Sequence, residues 1–333
     1  VPHGWIILDK PPGLGSTQAV AAVKRVLRQG GYGKVKVGHG GTLDPLAEGV
    51  LPIALGEATK LAGRLLDASK AYAFTVQFGT QTDTLDAEGA VIATSDHRPP
   101  LAELPAVLEQ FTGEIEQLPP AFSALKVEGK RAYDLARAGE EVTLQPRHVT
   151  IHSLQILPDT RRGTARAASG GGGSSLPLHF SESPLCHSPL AAEDLSEVTL
   201  LAHVSKGTYI RSLARDIARA LGTVGHVTWL RRTKAGPFTE GRAISLDTLN
   251  EIGKGARLED HLLPLEAGLD GIPALPLDPE SAQAVRQGRV LSGMPLTDGL
   301  YLANAGRVPV ALMEISGGLA KVVRGFNLTD TAE

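Results

Sequence analysis

The sequence predicts an α+β fold built on a mixed or antiparallel sheet. Three observations lead there. Strand-like segments often follow one another, as at 147–156 and 197–204, without the strict strand–helix alternation of a parallel α/β protein. Residues 71–78, AYAFTVQF, alternate cleanly, with Tyr72, Phe74, Val76 and Phe78 on one side and Ala73, Thr75 and Gln77 on the other. Helical periods are interspersed, most clearly at 209–221, where Ile210, Leu213, Ala214, Ile217 and Leu221 make an apolar stripe that Gly222 ends.

In chain order, residues 4–9, GWIILD, read as a short buried strand, and KPPG makes the turn after it. Residues 17–29 suit a helix. Ser16 or Thr17 can cap it, Val20, Val23 and Leu27 keep its period, and Gly30 sits where a C′ residue belongs. The segment 30–41 is a glycine-rich loop. GEATKLAGRLLDAS reads as another helix, with Ala58, Leu61 and Leu65 on one face. After the alternating strand, GTQTDTLDAEGAVI makes a turn and a short strand. Residues 103–112 suit a helix with Pro105 near its first turn. SALKVEGKRAYDLARAG reads as a hairpin turning at EGK, then a helix that stops at Gly139. HVTWLRRTKAGPF is strand-like.

Two stretches stand apart. Residues 161–194 are low in complexity and rich in Gly, Ser and Pro, so a flexible surface insertion between two strands is expected. Residues 270–333 hold short strands broken by glycines, RVL, LYLA, VPVALMEI and AKVVRGF, consistent with a small β-barrel module. The expected division is a domain over 1–255 and a smaller one over 270–333, in keeping with a length of 333 residues.

Composition narrows the function classes. Hydrophobic residues at 42% and charged residues at 21% fit a soluble globular chain. No apolar run approaches the ~20 residues of a membrane span. The first residues lack the basic and apolar regions of a signal peptide. The single cysteine, Cys186, excludes an internal disulfide and a Cys-based zinc site. A cytoplasmic monomer is the expectation. Net charge is −3, yet cations cluster. Residues 10–39 carry Lys10, Lys24, Arg25, Arg28, Lys34 and Lys36 and no acid. Residues 203–234 carry Lys206, Arg211, Arg215, Arg219, Arg231, Arg232 and Lys234 against Asp216 alone. These blocks either form one positive face or are two solvated surfaces that never meet.

The stretch KVGHGGTLDPLAEGVLPIALGEATK, residues 36–60, raises the sharpest chemical question. Asp44 precedes a proline at the end of a glycine loop. One reading is structural, an Asp side chain accepting backbone bonds at a turn. The other makes it a nucleophile or general base where glycines admit a bulky partner. His39 lies nearby and is either a packed residue or part of the site. Tyr72 is a core aromatic or a stacking surface at a cleft mouth. Arg211, in the first turn of its helix, either heads a solvated row with Arg215 and Arg219 or pairs with a buried carboxylate, whose charged form an adjacent cation favours. Other chemistries fail on spacing. DTLDAEG is out of register for a calcium loop, GGYGKVKVG is neither a P-loop nor GxGxxG, and no HExxH or GxSxG occurs. No metal or organic cofactor is expected.

Five blocks in order carry a resemblance: GWIILDKPPGLGS, GHGGTLDPLAEGVLPIALGEATK, KAYAFTVQFGTQTDTLDAEG, PPAFSALKVEGKRAYDLARAG and SKGTYIRSLARDIARALG. Together they resemble the bacterial tRNA pseudouridine-55 synthases, the TruB family, over roughly residues 4–250 apart from the insertion. The resemblance implies the pseudouridine synthase fold, a mixed and largely antiparallel sheet with a central cleft. It implies isomerisation of a T-loop uridine of tRNA to pseudouridine without a cofactor. By motif position Asp44 would be the nucleophile, Tyr72 would stack on the uracil, and Arg211 would form a salt bridge to Asp44. His39, Tyr209 and Leu230 would line the pocket, and Lys10 and Pro11 would pack beneath it. The tail resembles a PUA-like RNA-binding module. Two other classes stay open at this point: an RNA-binding or folding protein on the same scaffold, and a glycosidase-like enzyme on a small nucleoside.

Overall fold

The computed structural model describes residues 1–123, 126–127, 130–131, 144–158 and 194–328. Among these, nine strands join one sheet in the order β1 (Gly4–Lys10), β3 (Glu48–Leu55), β12 (Gly225–Ala235), β4 (Lys70–Phe78), β11 (Glu197–Val204), β10 (Arg147–Ile156) and β7 (Gly113–Gln117), with β2 (Val37–His39) on β3 and β13 (Phe238–Thr239) on β12. All pairings are antiparallel except β3 with β12. The expected α+β class with a mixed, largely antiparallel sheet is therefore found.

The alternation of β4 places Phe74, Val76 and Phe78 on a buried face. Leu200 and Ala202 of β11 join them under α3 (Leu104–Gln110) and α4 (Ile210–Ala220), whose Leu213, Ala214 and Ile217 fill the same core. A second core lies at the β1–β3 end. There α1 (Ser16–Gln29) and α5 (Leu246–Gly253) bring Val23, Leu27, Leu249 and Ile252 onto Ile6, Leu8, Leu51 and Ile53.

Several local expectations are corrected. The N-cap of α1 is Gly15, not Ser16 or Thr17, and its amide is met by the Gln18 side chain at 2.8 Å. Ser16 instead bonds to the backbone of Leu43. Gly30 is the C-cap with φ −76°, and the left-handed residue is Gly31 at φ 81°. The helix expected over 56–69 is a 3₁₀ turn (Gly56–Leu61) followed by a short α2 (Ala62–Asp67), though Ala58, Leu61 and Leu65 are buried as the period requires. The turn after β4 carries two strands, β5 (Thr80–Thr82) and β6 (Val91–Thr94). Where a hairpin is expected, β8 (Lys126–Val127) and β9 (Lys130–Arg131) pair antiparallel, and the residues between them lie outside the described ones. The helix expected after it and the insertion at 161–194 lie outside the described residues.

The tail forms a second sheet in the order β14 (Ala274–Leu277), β16 (Gly299–Ala305), β17 (Val308–Ser316), β18 (Leu319–Gly325) and β15 (Leu291–Ser292). Helix α6 (Pro279–Arg286), N-capped by Asp278, packs Ala282 and Val285 into its core beside Tyr301, Val310 and Met313. The two sheets share a fourth apolar cluster. Leu302, Leu312 and Phe326 meet Trp5, Ile7, Val50 and Phe238 there. The fully buried Trp5 donates its indole N–H to Leu265 O at 3.0 Å. Asn327 N donates to the Glu57 carboxylate at 2.7 Å, and Lys60 Nζ to Gly325 O at 2.9 Å.

Candidate active site

The glycine loop leaves β2 and is fixed residue by residue before it reaches Asp44. Gly40 N donates to Pro52 O at 2.9 Å. Ser16 Oγ both accepts from Leu43 N and donates to Leu43 O, each at 2.9 Å, which is why it does not cap α1. On the far side, Gly13 N donates to Pro45 O at 2.8 Å and Ala47 N to Asp44 O at 3.0 Å. Gly40 is required by the protein itself, because a Cβ there would stand 2.5 Å from Leu65 Cδ1. Gly41 adopts φ 138°, where an L side chain is strained. The expectation that these glycines are bare for a ligand is thus only part of their reason.

Two buried cations tie the loop from below. Lys10 is fully buried, and its ammonium donates to Leu14 O at 2.6 Å, Pro11 O at 3.0 Å and Pro45 O at 3.1 Å. Burial pushes its pKa down to about 8, against the opposing pull of the Asp44 charge. Arg232, 1% exposed, donates to Val50 O at 2.8 Å, Thr42 O at 3.1 Å and Gly41 O at 3.2 Å. Its three contacts are all backbone carbonyls, and among the described residues it meets no acid.

The Asp44 side chain, 40% exposed, is aimed at a third cation: Arg211 Nε stands 3.0 Å from its Oδ2. The carboxylate is half-open, not buried. Arg211 is only 7% exposed and is itself aimed. Its guanidinium donates to Thr84 O at 2.8 Å and Phe122 O at 3.0 Å, with Asp86 at 3.7 Å. Leu85, held between these partners at φ 63°, is a non-glycine residue in left-handed backbone, and DTLDAEG therefore has a role as the cradle of Arg211. Gln117 brackets the start of α4, accepting from Tyr209 N at 2.8 Å and donating to Tyr209 O at 3.1 Å.

The other sequence candidates fall around this pair. Tyr72 is half-buried and packs on the cluster that holds Leu43 and Ala47 from the Asp44 loop, Ile210 beside Arg211, and Leu230. Leu230 is 9% exposed and belongs to that core. His39 accepts from Gly41 N at Nδ1, 3.3 Å away; burial and then the Arg232 charge lower its pKa, so the ring is neutral at pH 7. Burial pushes the Tyr209 hydroxyl up.

The row of cations expected on α4 is not a solvated one, since Arg215 is buried and engaged with Asp216 at 2.8 Å, leaving Arg219 exposed. Arg231 is likewise spent on Asp9, Glu48 and Glu240. The second basic block is thus largely internal. Sequence reasoning missed Arg232, Asp86 and Gln117. A signal for Arg232 existed, because period 2 from Leu230 puts it on the face that carries Tyr72. Among the described residues no group of three or more His, Cys, Asp or Glu is gathered as a metal site would require.

Comparison with known proteins decides the family. The model of the TruB family pseudouridylate synthase N-terminal domain matches residues 24–168, and that of the tRNA pseudouridylate synthase B C-terminal domain matches 211–270. A tRNA pseudouridine synthase B from Novosphingobium aromaticivorans is 65% identical over 99% of both chains.

This chain belongs to the TruB family.

Another relative, from Zymomonas mobilis and of the same name, is 53% identical over 98% of this chain and 96% of its own. Among solved structures, an H/ACA RNP bound to a substrate RNA containing 2′-deoxyuridine matches with TM-score 0.67 at 24% identity, covering 98% of this chain and 86% of that one. A Cbf5-Nop10-Gar1 complex matches with TM-score 0.65 at 26% identity, covering 97% and 84%. The first likeness bears on the fold alone. As a TruB-family chain this one is a pseudouridylate synthase, and Asp44 and Arg211 both lie within matched segments.

Proposed function

We propose that this protein isomerises uridine 55 in the T loop of tRNA to pseudouridine, with Asp44 as its nucleophile. The observation that carries the reading is the half-open Asp44 carboxylate held 3.0 Å from a buried, carbonyl-anchored Arg211. The curated relatives are named for tRNA, and their length matches this chain.

A uridine inside a structured loop must leave its stack to react, which costs a few kcal/mol. Stacking on an aromatic ring returns about 1–3 kcal/mol per base, and Tyr72 supplies that ring beside the Asp44 loop. Arg211 fixes the carboxylate's direction, while Lys10 and Arg232 hold the loop. The C1′–N1 bond breaks, the uracil turns, and a C1′–C5 bond forms. C5 loses its proton and N1 gains one, so the change is an isomerisation that needs no redox partner. Attack at C1′, attack at C6 and proton abstraction leading to a glycal all place this one carboxylate beside the same nucleotide. The β-rich tail serves as a PUA-like RNA-binding module, and the enzyme acts as a cytoplasmic monomer.

The test is tritium release from tRNA carrying 5-tritiated uridine. Wild type should release tritium at position 55. Asp44→Asn should fall by about 10³-fold or more while its RNA affinity stays within a few-fold. Release by Asp44→Asn at the wild-type rate would remove the nucleophile assignment, and a chain that only binds or folds RNA would release none in either form.

A further inference from the structure

A polar groove of about 290 Å³ lies where α2, the end of β12 and the segment leading to the tail meet. Arg64, Ser69, Lys234, Gly236, Gly268 and Asp270 line it. Among the described residues neither Arg64 nor Lys234 makes an ion pair or a side-chain hydrogen bond, while Asp67, on the same helix as Arg64, is engaged by Lys206 at 2.8 Å. With Asp270 as the one opposing acid, the lining keeps one net positive charge.

The groove is adjacent to the catalytic loop. Leu65 is one of its walls, and the same side chain packs against Gly40. Its neighbour Leu66 reaches Gly41 and is 52% exposed, an apolar knob on a basic surface. Lys234 follows Arg232 by two residues on β12, so the strand that anchors the Asp44 loop also supplies the groove's lysine. Leu65 and Leu66 thus set the rim of the groove against the Gly40–Gly41 end of the loop that carries Asp44. Two unpaired cations suit a phosphodiester, and Leu66 offers a surface to the sugar or base attached to it.

We propose that this groove is a phosphate subsite, in which Arg64 and Lys234 grip the RNA backbone beside the extruded uridine. The proposal rests on the reading of the chain as a tRNA-modifying enzyme. It concerns positioning of the substrate and adds no step to the chemistry.

The test compares wild type, the double variant Arg64→Ala/Lys234→Ala, Asp270→Asn and the control Lys254→Ala, an exposed cation at the C-cap of α5. A tRNA transcript is bound across a salt series, and kcat and KM for pseudouridine formation are measured on the same transcript. The double variant should bind about tenfold more weakly at 0.15 M salt, with KM raised in step and kcat within about twofold. Its plot of log K against log salt should be shallower by about 0.7 for each phosphate released. Asp270→Asn should tighten binding, and Lys254→Ala should follow wild type. A folded double variant with wild-type affinity and slope overturns the proposal, as does a fall in kcat alone. Saturable binding of inorganic phosphate, lost in the double variant while the RNA slope stays unchanged, overturns it in favour of a free-anion site. If wild type forms no pseudouridine, the functional reading fails first; if wild type turns over and the variants bind as it does, only the subsite fails.

Discussion

Replacing Arg232 by methionine tests how the loop that carries Asp44 is held. The side chain is fully enclosed and donates to the carbonyls of Gly41, Thr42 and Val50. Methionine keeps the length and removes every donor. The buried carbonyls of Gly41 and Val50 are then left short of a partner, at about 1–3 kcal/mol each, while the more open Thr42 carbonyl loses less. Relief of the buried guanidinium's own desolvation offsets part of that loss. A net destabilisation of about 3 kcal/mol follows. At about 2.1 cal/mol/K per residue, 333 residues give an unfolding entropy of about 0.7 kcal/mol/K, so the midpoint should fall by about 4 °C. The assay is thermal unfolding followed by far-UV circular dichroism, paired with single-turnover pseudouridine formation. Turnover should fall more than tRNA affinity, because the loop loosens at Gly41 and Thr42, beside Asp44. Lysine at 232 keeps the charge but not the fork, and should lie between the two. A methionine variant within about 1 °C of wild type, with unchanged turnover, would refute the idea that this cation anchors the loop.

Tyr72→Leu should bind tRNA within a few-fold of wild type but turn over at least about tenfold more slowly, since about 1–3 kcal/mol of stacking is lost on the flipped base; ordinary rates would remove Tyr72 from the site. Lys10 gives a pH signature. Its folded pKa is depressed to about 8, so between that value and its ordinary pKa near 10.5 the unfolded chain holds a proton that the folded one has shed. Stability of wild type relative to Lys10→Met should therefore be flat below pH 8 and rise with pH from about 8 to 10.5. Urea midpoints across that range measure it, and a difference that falls with rising pH would contradict the assignment.

The large strands and α4 were legible because each carries one clear period. Residues 147–156 and 197–204 are strands at the expected bounds, and the stripe on α4 is buried at every expected position. β3 was not legible as a strand. It is buried along nearly its whole length, so it shows no alternation, and Pro52 argues against a central strand. Within the structure that proline offers its carbonyl to Gly40, a use that only the tertiary arrangement reveals. The break between the 3₁₀ turn and α2 was hidden in the same way, because both halves share one apolar face. At the site, the motifs pointed to Asp44, Tyr72 and Arg211, and the structure brings Asp44 and Arg211 into direct contact. The surrounding supports were not legible, because Arg232 and Lys10 make their bonds to backbone carbonyls, and a carbonyl leaves no mark on residue identity. Basic runs that the sequence leaves open between one positive face and two solvated surfaces are in part the internal scaffolding of the Asp44 loop.

The apolar cluster around Trp5 has a consequence for how this enzyme is divided. The tail's Leu302, Leu312 and Phe326 complete a core begun by the first strand of the chain. Severing the polypeptide near residue 270 would not yield two tidy halves; each would carry a greasy wound where the other had been. Part of the cover over Trp5 and Ile7 thus comes from strands that lie at the far side of the sequence.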